Sequence, residues 1–371
     1  MRGTSVKPIV IAAGGTGGHF FPAEALAAAL IARGRRVALM TDARSGSLAS
    51  PVFAGGECYT LSGAGLAGRG AARATMAGLS LLAGVAQARR ILARMDAAAV
   101  IGFGGYPSVA PVLAARLLGR RPAVLLHEQN AVLGRANRSL ARASDVLALS
   151  MAQTEKVPIG VPTIVTGNPI RPAVAALAAT VYAPPEKEIA LLILGGSLGA
   201  RVFSDIVPAA VANLPDGLRS RIRIVQQCRA EDLDRVRAAY SAAGVGAELA
   251  SFFTDIADRL AAAHLVIARA GASTIAELAA AGRPSILVPL PSAIDDHQSA
   301  NAAVLVNIGA AIAVPQASFT AASLAGILKH YLEIPTRLTA AAAAARAHGL
   351  PHAAARLADL VEARMRQEAA Q

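Results

Sequence analysis

Residues 10–19 read VIAAGGTGGH and residues 191–200 read LLILGGSLGA. Each is an apolar run of strand length that passes directly into glycines and then into a helical pattern, the form taken by a strand–turn–helix unit opening a parallel sheet. Around both stretches, short apolar runs alternate with longer helical ones. Strands are expected in the first half at residues 8–13, 36–41, 98–102, 123–127 and 145–149. The second half restarts the rhythm at 189–194, 222–226, 248–251, 265–268 and 285–288. The chain therefore reads as an α/β duplication: two Rossmann-like domains whose parallel sheets face a cleft. Its 371 residues suit two domains, at about 100–200 residues each. The expected boundaries are 1–167, then 168–338 beyond a proline-punctuated hinge at 157–185. An Ala-rich helical tail at 339–371, broken around Gly349 and Pro351, is expected to pack back on the first domain.

Composition narrows the class. With 54% hydrophobic and 16% charged residues, the chain can bury a large core and is not a disordered segment. The net charge of +12 is unevenly placed: residues 1–167 hold 18 Lys+Arg against 7 Asp+Glu, and the remainder holds 18 against 17. A basic surface suits nucleic acid, an anionic membrane or an anionic substrate. Nucleic acid is disfavoured, because there is no Trp, aromatics are 4%, and no basic run reaches five residues; stacking platforms would have little to build from. Two cysteines, Cys58 and Cys228, make neither a disulfide framework nor a metal-type spacing, which points to a reducing, cytosolic setting.

Contact with a membrane, if made, should be peripheral. The apolar stretch 8–13 is too short for a signal-peptide core. The uncharged stretch 74–88 falls short of the roughly 20 residues a spanning helix needs. Residues 97–115 are interrupted by Gly102, Gly104, Gly105, Pro107 and Pro111. Met76, Leu79, Leu82 and Val85, flanked by Arg69, Arg73, Arg89, Arg90 and Arg94, could enter an anionic membrane interface or form an ordinary core-facing helix with solvated ends.

The polar constellations sit where strands end. Gly14, Gly15, Thr16, Gly17, Gly18 and His19 precede Pro22 at a helix start, where backbone N–H groups and the helix dipole favour an anion. This is not the dinucleotide fingerprint, because Phe20 stands where G-x-G-x-x-G requires its third glycine. A tight turn without a ligand is the plainer alternative. The second loop, Gly195, Gly196, Ser197, Leu198 and Gly199, repeats the arrangement, and two such loops suit a ligand diphosphate and a second polar substrate. His127, Glu128, Gln129 and Asn130 follow a strand and would either line a cleft or cap the next helix. Asp295, Asp296, His297, Gln298 and Asn301 share this character, with a solvated helix start as the alternative. Arg269 to Thr274 precede Glu277 on an expected helix; its carboxylate could accept ribose hydroxyls, or belong to a capping arrangement with Ser273 or Thr274. Asp232 and Asp234 read as a charged helix face rather than a metal pair. His348 and His352 lack a third ligand nearby. Asp42 could hold the ribose of a dinucleotide.

In order along the chain stand GGTGGH (14–19), GFGGYPS (102–108), HEQN (127–130), GNPIR (167–171), GGSLGA (195–200), RAGASTIAE (269–277) and DDHQSANA (295–302). Together they closely resemble the MurG family, the two-domain GT-B transferases that carry N-acetylglucosamine from UDP-N-acetylglucosamine to lipid I in bacterial peptidoglycan synthesis. The resemblance spans almost the whole chain. Position 296 is Asp where the family pattern leads one to expect a non-acidic residue, and residues 42–56 match little.

The resemblance implies an N-terminal domain that binds the acceptor and associates with the membrane, and a C-terminal domain that binds the UDP-sugar. Glu277 would hold the ribose, Phe253 would lie beside the uracil, and Ser197 with Arg171 would hold the diphosphate. Asn130, His297 and Gln298 would read the transferred sugar. Thr16, Gly17 and Gly18 would count among the donor-binding residues, and their loop, with Thr16 and His19, would also face the acceptor diphosphate. Gly14, Gly15, Gly104, Gly105 and Tyr106 would form the acceptor-side loop.

The reaction implied is an inverting attack by the muramyl 4-hydroxyl, giving a β-1,4 linkage. His19 is the first choice for the general base, since an imidazole titrates near working pH, and Glu128 is the reserve. No protein metal site is evident and no cofactor is required, although a divalent cation could assist. The expected partners are UDP-N-acetylglucosamine, the undecaprenyl-diphosphate-linked muramyl peptide and an anionic membrane surface, not nucleic acid. The expected location is peripheral, on the cytoplasmic face of the plasma membrane. The rival classes are a nucleotide-sugar epimerase or another GT-B glycosyltransferase, a dinucleotide-dependent oxidoreductase, and a nucleic-acid binder.

Overall fold

The structure, a computed structural model, describes residues 7–14, 17–42, 50–62, 71–196 and 199–369, without the side chains of 71–75 and 369. Gly15, Thr16, Ser197 and Arg69 therefore lie outside the described residues, as does the side chain of Arg73. The chain divides into two units, one running to Arg171 and resuming at His352, the other spanning Pro172–Pro351.

The first unit is built on a sheet of β1 (Ile9–Ala12), β2 (Val37–Asp42), β3 (Glu57–Leu61), β4 (Ala99–Gly102), β5 (Ala123–Glu128), β6 (Val146–Leu149) and β7 (Thr163–Val165). Its order is β3-β2-β1-β4-β5-β6-β7, and every pairing is parallel. The central strands β1, β4, β5 and β6 are buried along their whole length. That is why β1, β4 and β6, and β5 as far as Leu126, read as unbroken apolar runs: helices cover both faces of a parallel sheet.

The second unit repeats the plan with β8 (Ile189–Leu194), β9 (Ile222–Gln227), β10 (Gly246–Ala250), β11 (Leu265–Ala268), β12 (Ser285–Leu287) and β13 (Ala311–Ala313), ordered β10-β9-β8-β11-β12-β13 and again all parallel. Three strands escaped the reading of the sequence, namely β3, β7 and β13. All three lie at sheet edges. β7 is exposed throughout and β3 is half-exposed, so neither carries the apolar run that marks a central strand.

In each sheet the strand order reverses beside its first strand, between β1 and β4 and between β8 and β11. Loops leaving the carboxyl ends of these pairs diverge, and the crevice they leave is where open α/β sheets bind ligands. Gly14, Gly17, Gly18 and residues 102–106 stand at the first reversal, and Gly195, Gly196, Gly199 and residues 269–271 at the second.

The terminal helices belong to different units. Helix Pro335–His348 packs on helix Ala272–Ala281 in the second unit. Helix Ala353–Ala369 returns to the first unit, lying against helix Gly17–Ala32 and β5. It buries Leu357, Ala358 and Val361 in that core, while Arg33 pairs with Asp359 at 2.7 Å and Arg35 with Glu362 at 2.6 Å. The segment 339–371 is thus shared between the units rather than forming one tail.

Candidate active site

In the first unit the site grows from the carboxyl ends of β1, β4 and β5. Residues 127–130 do not line a cleft as a block. His127, Glu128 and Gln129 are buried and only Asn130 is half-buried. Nor do they cap the following helix, because Gly134 holds that N-cap without any side-chain bond. Burial without partners would be costly for such groups, and each has them. Glu128 Oε1 accepts from the Asn130 backbone N–H at 3.0 Å and from Asn130 Nδ2 at 3.1 Å. Its Oε2 accepts from the Gly134 N–H and from Asn137 Nδ2, both at 2.9 Å. With four hydrogen bonds made inside the protein and almost no exposure, the Glu128 carboxylate holds Asn130 and residues 134–137, a geometry that favours His19 over Glu128 for the role of base.

His19, in the first turn of helix Gly17–Ala32, is half-buried. Its Nδ1 lies 2.8 Å from Gln129 Oε1. Behind Gln129, His127 is fully buried, with Nε2 3.0 Å from the Gly167 carbonyl and its ring 5.1 Å from that of Phe103. Burial pulls the His127 pKa down to about 4, so the ring is neutral at working pH. Gly105 has φ +67°, and a Cβ there would stand 3.4 Å from His19 Cδ2. Glycine at this position admits both the left-handed backbone and the close approach of the imidazole. Tyr106 begins a short turn whose Ser108 Oγ donates to the Gly104 carbonyl at 2.8 Å and to the Ala12 carbonyl at 3.0 Å. Arg171, expected at the diphosphate, has its guanidinium 5.8 Å from the Phe21 ring centroid, a cation–π contact within the first unit.

In the second unit β8 runs into Gly195 and Gly196, and helix Arg201–Ala212 begins just beyond. A Cβ on Gly195 would come within 2.3 Å of the Ala200 nitrogen. The turn closes only with glycine at this position. Helix Ala272–Ala281 has Gly271 as its N-cap with no side-chain cap bond, so the capping reading of Ser273, Thr274 and Glu277 does not hold. Glu277 is half-buried on that helix. Asp295 and Asp296 both adopt left-handed backbone, with φ 54° and 51°, ahead of helix His297–Val306. There His297 Nδ1 donates to the Ile294 carbonyl at 2.7 Å, and Gln298 Oε1 accepts from the Leu290 N–H at 3.0 Å. Asn301 is buried and donates to the Ala270 carbonyl at 3.0 Å. Phe253 is only 7% exposed, with the Arg259 guanidinium 4.7 Å over its ring, whereas its neighbour Phe252 is 58% exposed. Of the two rings, Phe252 is the more exposed.

Two further readings change. Asp232 is buried beneath the exposed guanidinium groups of Arg235 at 2.9 Å and Arg201 at 3.7 Å, whereas Asp234 is exposed on the charged helix face. Asp42 is buried at the end of β2, which leaves little of its carboxylate open to a ribose. Among the described residues no group of three His, Cys, Asp or Glu side chains is arranged to hold a metal ion. Gln129 and Asn137 were given no role from sequence. Gln129 lay inside the HEQN run, and nothing local marks Asn137, whose partners are nine and ten residues away.

Residues 9–148 match the glycosyltransferase family 28 N-terminal domain and residues 190–357 the corresponding C-terminal domain. Fold and site together define a two-domain glycosyltransferase of the GT-B type. A UDP-N-acetylglucosamine--N-acetylmuramyl-(pentapeptide) pyrophosphoryl-undecaprenol N-acetylglucosamine transferase from Granulibacter bethesdensis is 60% identical, covering 97% of this chain and 94% of the relative. The protein of the same name from Acidiphilium cryptum is 55% identical, over 97% and 98% of the two chains. The crystal structure of Acinetobacter baumannii MurG matches with a TM-score of 0.78 at 32% identity, over 96% of this chain and 99% of that one. The chain belongs to this family of N-acetylglucosaminyltransferases.

Proposed function

We propose that this glycosyltransferase moves N-acetylglucosamine from UDP-N-acetylglucosamine to the 4-hydroxyl of the muramyl sugar of lipid I, with inversion, forming the β-1,4 linkage of lipid II in peptidoglycan synthesis. The observation that carries the reading is the 60% identity over 97% of the chain to a transferase named for that donor and acceptor.

His19 takes the proton of the attacking hydroxyl, and the new bond forms at the anomeric carbon as the bond to the diphosphate oxygen breaks. The departing electron pair leaves with UDP. The N-terminus of helix Arg201–Ala212, with the 195–199 loop and Arg171, stabilises that charge. Glu277 holds the ribose. Asn130, braced by Glu128, and His297 and Gln298 read the transferred sugar. No protein-bound metal is used.

The acceptor's lipid tail requires the enzyme to work at a membrane, and we place the chain peripherally on its cytoplasmic face. Along helix Ala71–Met95, Ala77, Ala88 and Leu92 face the core, whereas Met76, Leu79 and Leu82 are 69%, 67% and 67% exposed. A core-facing helix would not require this second apolar stripe, and its spacing of three residues keeps it on one face. Arg89, Arg90 and Arg94 lie further along the same helix, suiting anionic headgroups. No described helix is long and apolar enough to cross a membrane.

The test is transfer of labelled N-acetylglucosamine from UDP-N-acetylglucosamine to a lipid I analogue, with and without a chelator. A disaccharide product in both arms is expected. Product from the labelled donor alone would instead indicate an epimerase, and loss of turnover with chelator would overturn the metal-free reading.

A further inference from the structure

We propose that Gln129 is a positioning residue that holds His19 in the Nδ1–H tautomer, leaving the lone pair on Nε2. The inference rests on His19 being the base, and it adds what makes that nitrogen the one able to accept a proton.

The carboxamide of Gln129 has only one workable orientation. Its Nε2 lies 3.1 Å from the Phe103 carbonyl, 3.1 Å from the His127 carbonyl and 3.0 Å from His127 Nδ1. Two of these are acceptors without protons. The third is as well, because His127 Nε2 faces the Gly167 carbonyl at 3.0 Å and must donate there, which leaves the lone pair of the neutral ring on Nδ1. Turning the amide over would set an oxygen against all three. Amide orientation is assigned from such a network, and here every neighbour assigns it alike. Oε1 therefore faces His19, and an amide oxygen can only accept. At 2.8 Å His19 Nδ1 must be the donor. In the neutral imidazole the remaining nitrogen, Nε2, is then the acceptor.

The chain of partners runs from Gly167 through His127 and Gln129 to His19; His127 and Gln129 are two residues apart, whereas His127 and Gly167 are separated by 40 positions and His19 and Gln129 by 110. In the reaction the hydroxyl O–H bond breaks, its proton passes to His19 Nε2, and the hydroxyl electron pair forms the new bond to the anomeric carbon. The imidazolium so formed keeps its Nδ1–H on the Gln129 oxygen.

The test combines nitrogen-15 spectra of the histidine rings with kinetics, in the full chain. Loss of one signal in His19→Asn assigns that ring. In the wild-type protein His19 is expected as a single neutral tautomer with Nε2 unprotonated. In Gln129→Met the spectrum should become a tautomeric mixture, and kcat should fall roughly tenfold or more with little change in donor KM. The wild-type ring spectrum needs no substitution and keeps the proposal testable if the Met variant does not fold. A wild-type ring protonated on Nε2, or an unchanged His19 tautomer in Gln129→Met, would overturn the proposal. Undiminished turnover in His19→Asn would sink the base assignment instead, and the ring spectra judge Gln129 independently of it.

Discussion

The carboxylate of Glu128 accepts a 2.9 Å hydrogen bond from the side-chain amide of Asn137, wholly inside the first unit. With the Gly134 N–H on the same oxygen and Asn130 on the other, Glu128 organises the chain that follows β5. Glu128→Gln turns one acceptor oxygen into a donor facing donors. We expect a loss of about 1–3 kcal/mol in stability, measured by denaturant unfolding, and a raised KM through displaced Asn130. The limbs of the pH–rate profile should stay in place; disappearance of the acid limb would return Glu128 to the role of base.

Glu277 sits past the first turn of helix Ala272–Ala281, with Gly271 and not its own carboxylate at the N-cap. Glu277→Ala should therefore leave the melting temperature nearly unchanged while weakening UDP binding by about 1–3 kcal/mol, the scale of hydrogen bonds to a charged group. Calorimetric titration with UDP reads it. An unaltered affinity would remove Glu277 from the ribose.

His127 makes stability depend on pH in a defined window. Burial lowers its folded pKa to about 4, below the unfolded value near 6.5. The unfolded chain thus binds the extra proton first, and stability is complete above about pH 6.5, declines as pH falls toward 4, and levels off below that. The slope from this one group approaches about 1.4 kcal/mol per pH unit. Unfolding measured from pH 8 to 4 should show the decline in the wild-type protein and a flatter curve in His127→Gln, at lower overall stability. Parallel curves would contradict the assignment.

At the returning C-terminal helix, packing should outweigh charge. Leu357 is fully buried in the first core, and Leu357→Ala should cost about 2–5 kcal/mol. The Arg35 hydrogen bond is the chief cause that holds the Glu362 carboxyl below its usual range. The folded value being the lower, this contribution is present above the unfolded pKa and is lost on acidification through the folded one. The pair is partly exposed, so Glu362→Gln should cost under about 1 kcal/mol. Thermal unfolding of both variants tests the ranking, and a larger loss in Glu362→Gln would reverse it.

The exposed stripe on helix Ala71–Met95 predicts membrane behaviour. Replacing Met76, Leu79 and Leu82 by Ser should reduce binding to anionic vesicles at least tenfold, given that each buried apolar side chain contributes about 1.5–3 kcal/mol, while turnover on a short-chain, water-soluble acceptor stays unchanged. Salt should weaken vesicle binding of the wild-type chain. Binding that ignores both salt and the triple substitution would locate the membrane contact elsewhere.

Much was legible in the amino-acid order alone. The central strands announced themselves because a strand buried on both faces must be apolar at every position, and the glycines of the two loops stand where tight turns at the sheet reversals require them. Those patterns are local, so the doubled architecture and the family motifs could be read without coordinates. The edge strands β3, β7 and β13 could not, since a strand paired on one side and half-solvated has no obligatory composition. The fate of the polar residues was also undecided. Whether His127, Glu128 and Gln129 faced a ligand or the interior depended on Gly134, Asn137, Phe103 and Gly167 closing over them. Only tertiary structure supplied those partners, because the hydrogen bonds that make a buried charge or a fixed tautomer tolerable join residues that sequence spacing does not relate.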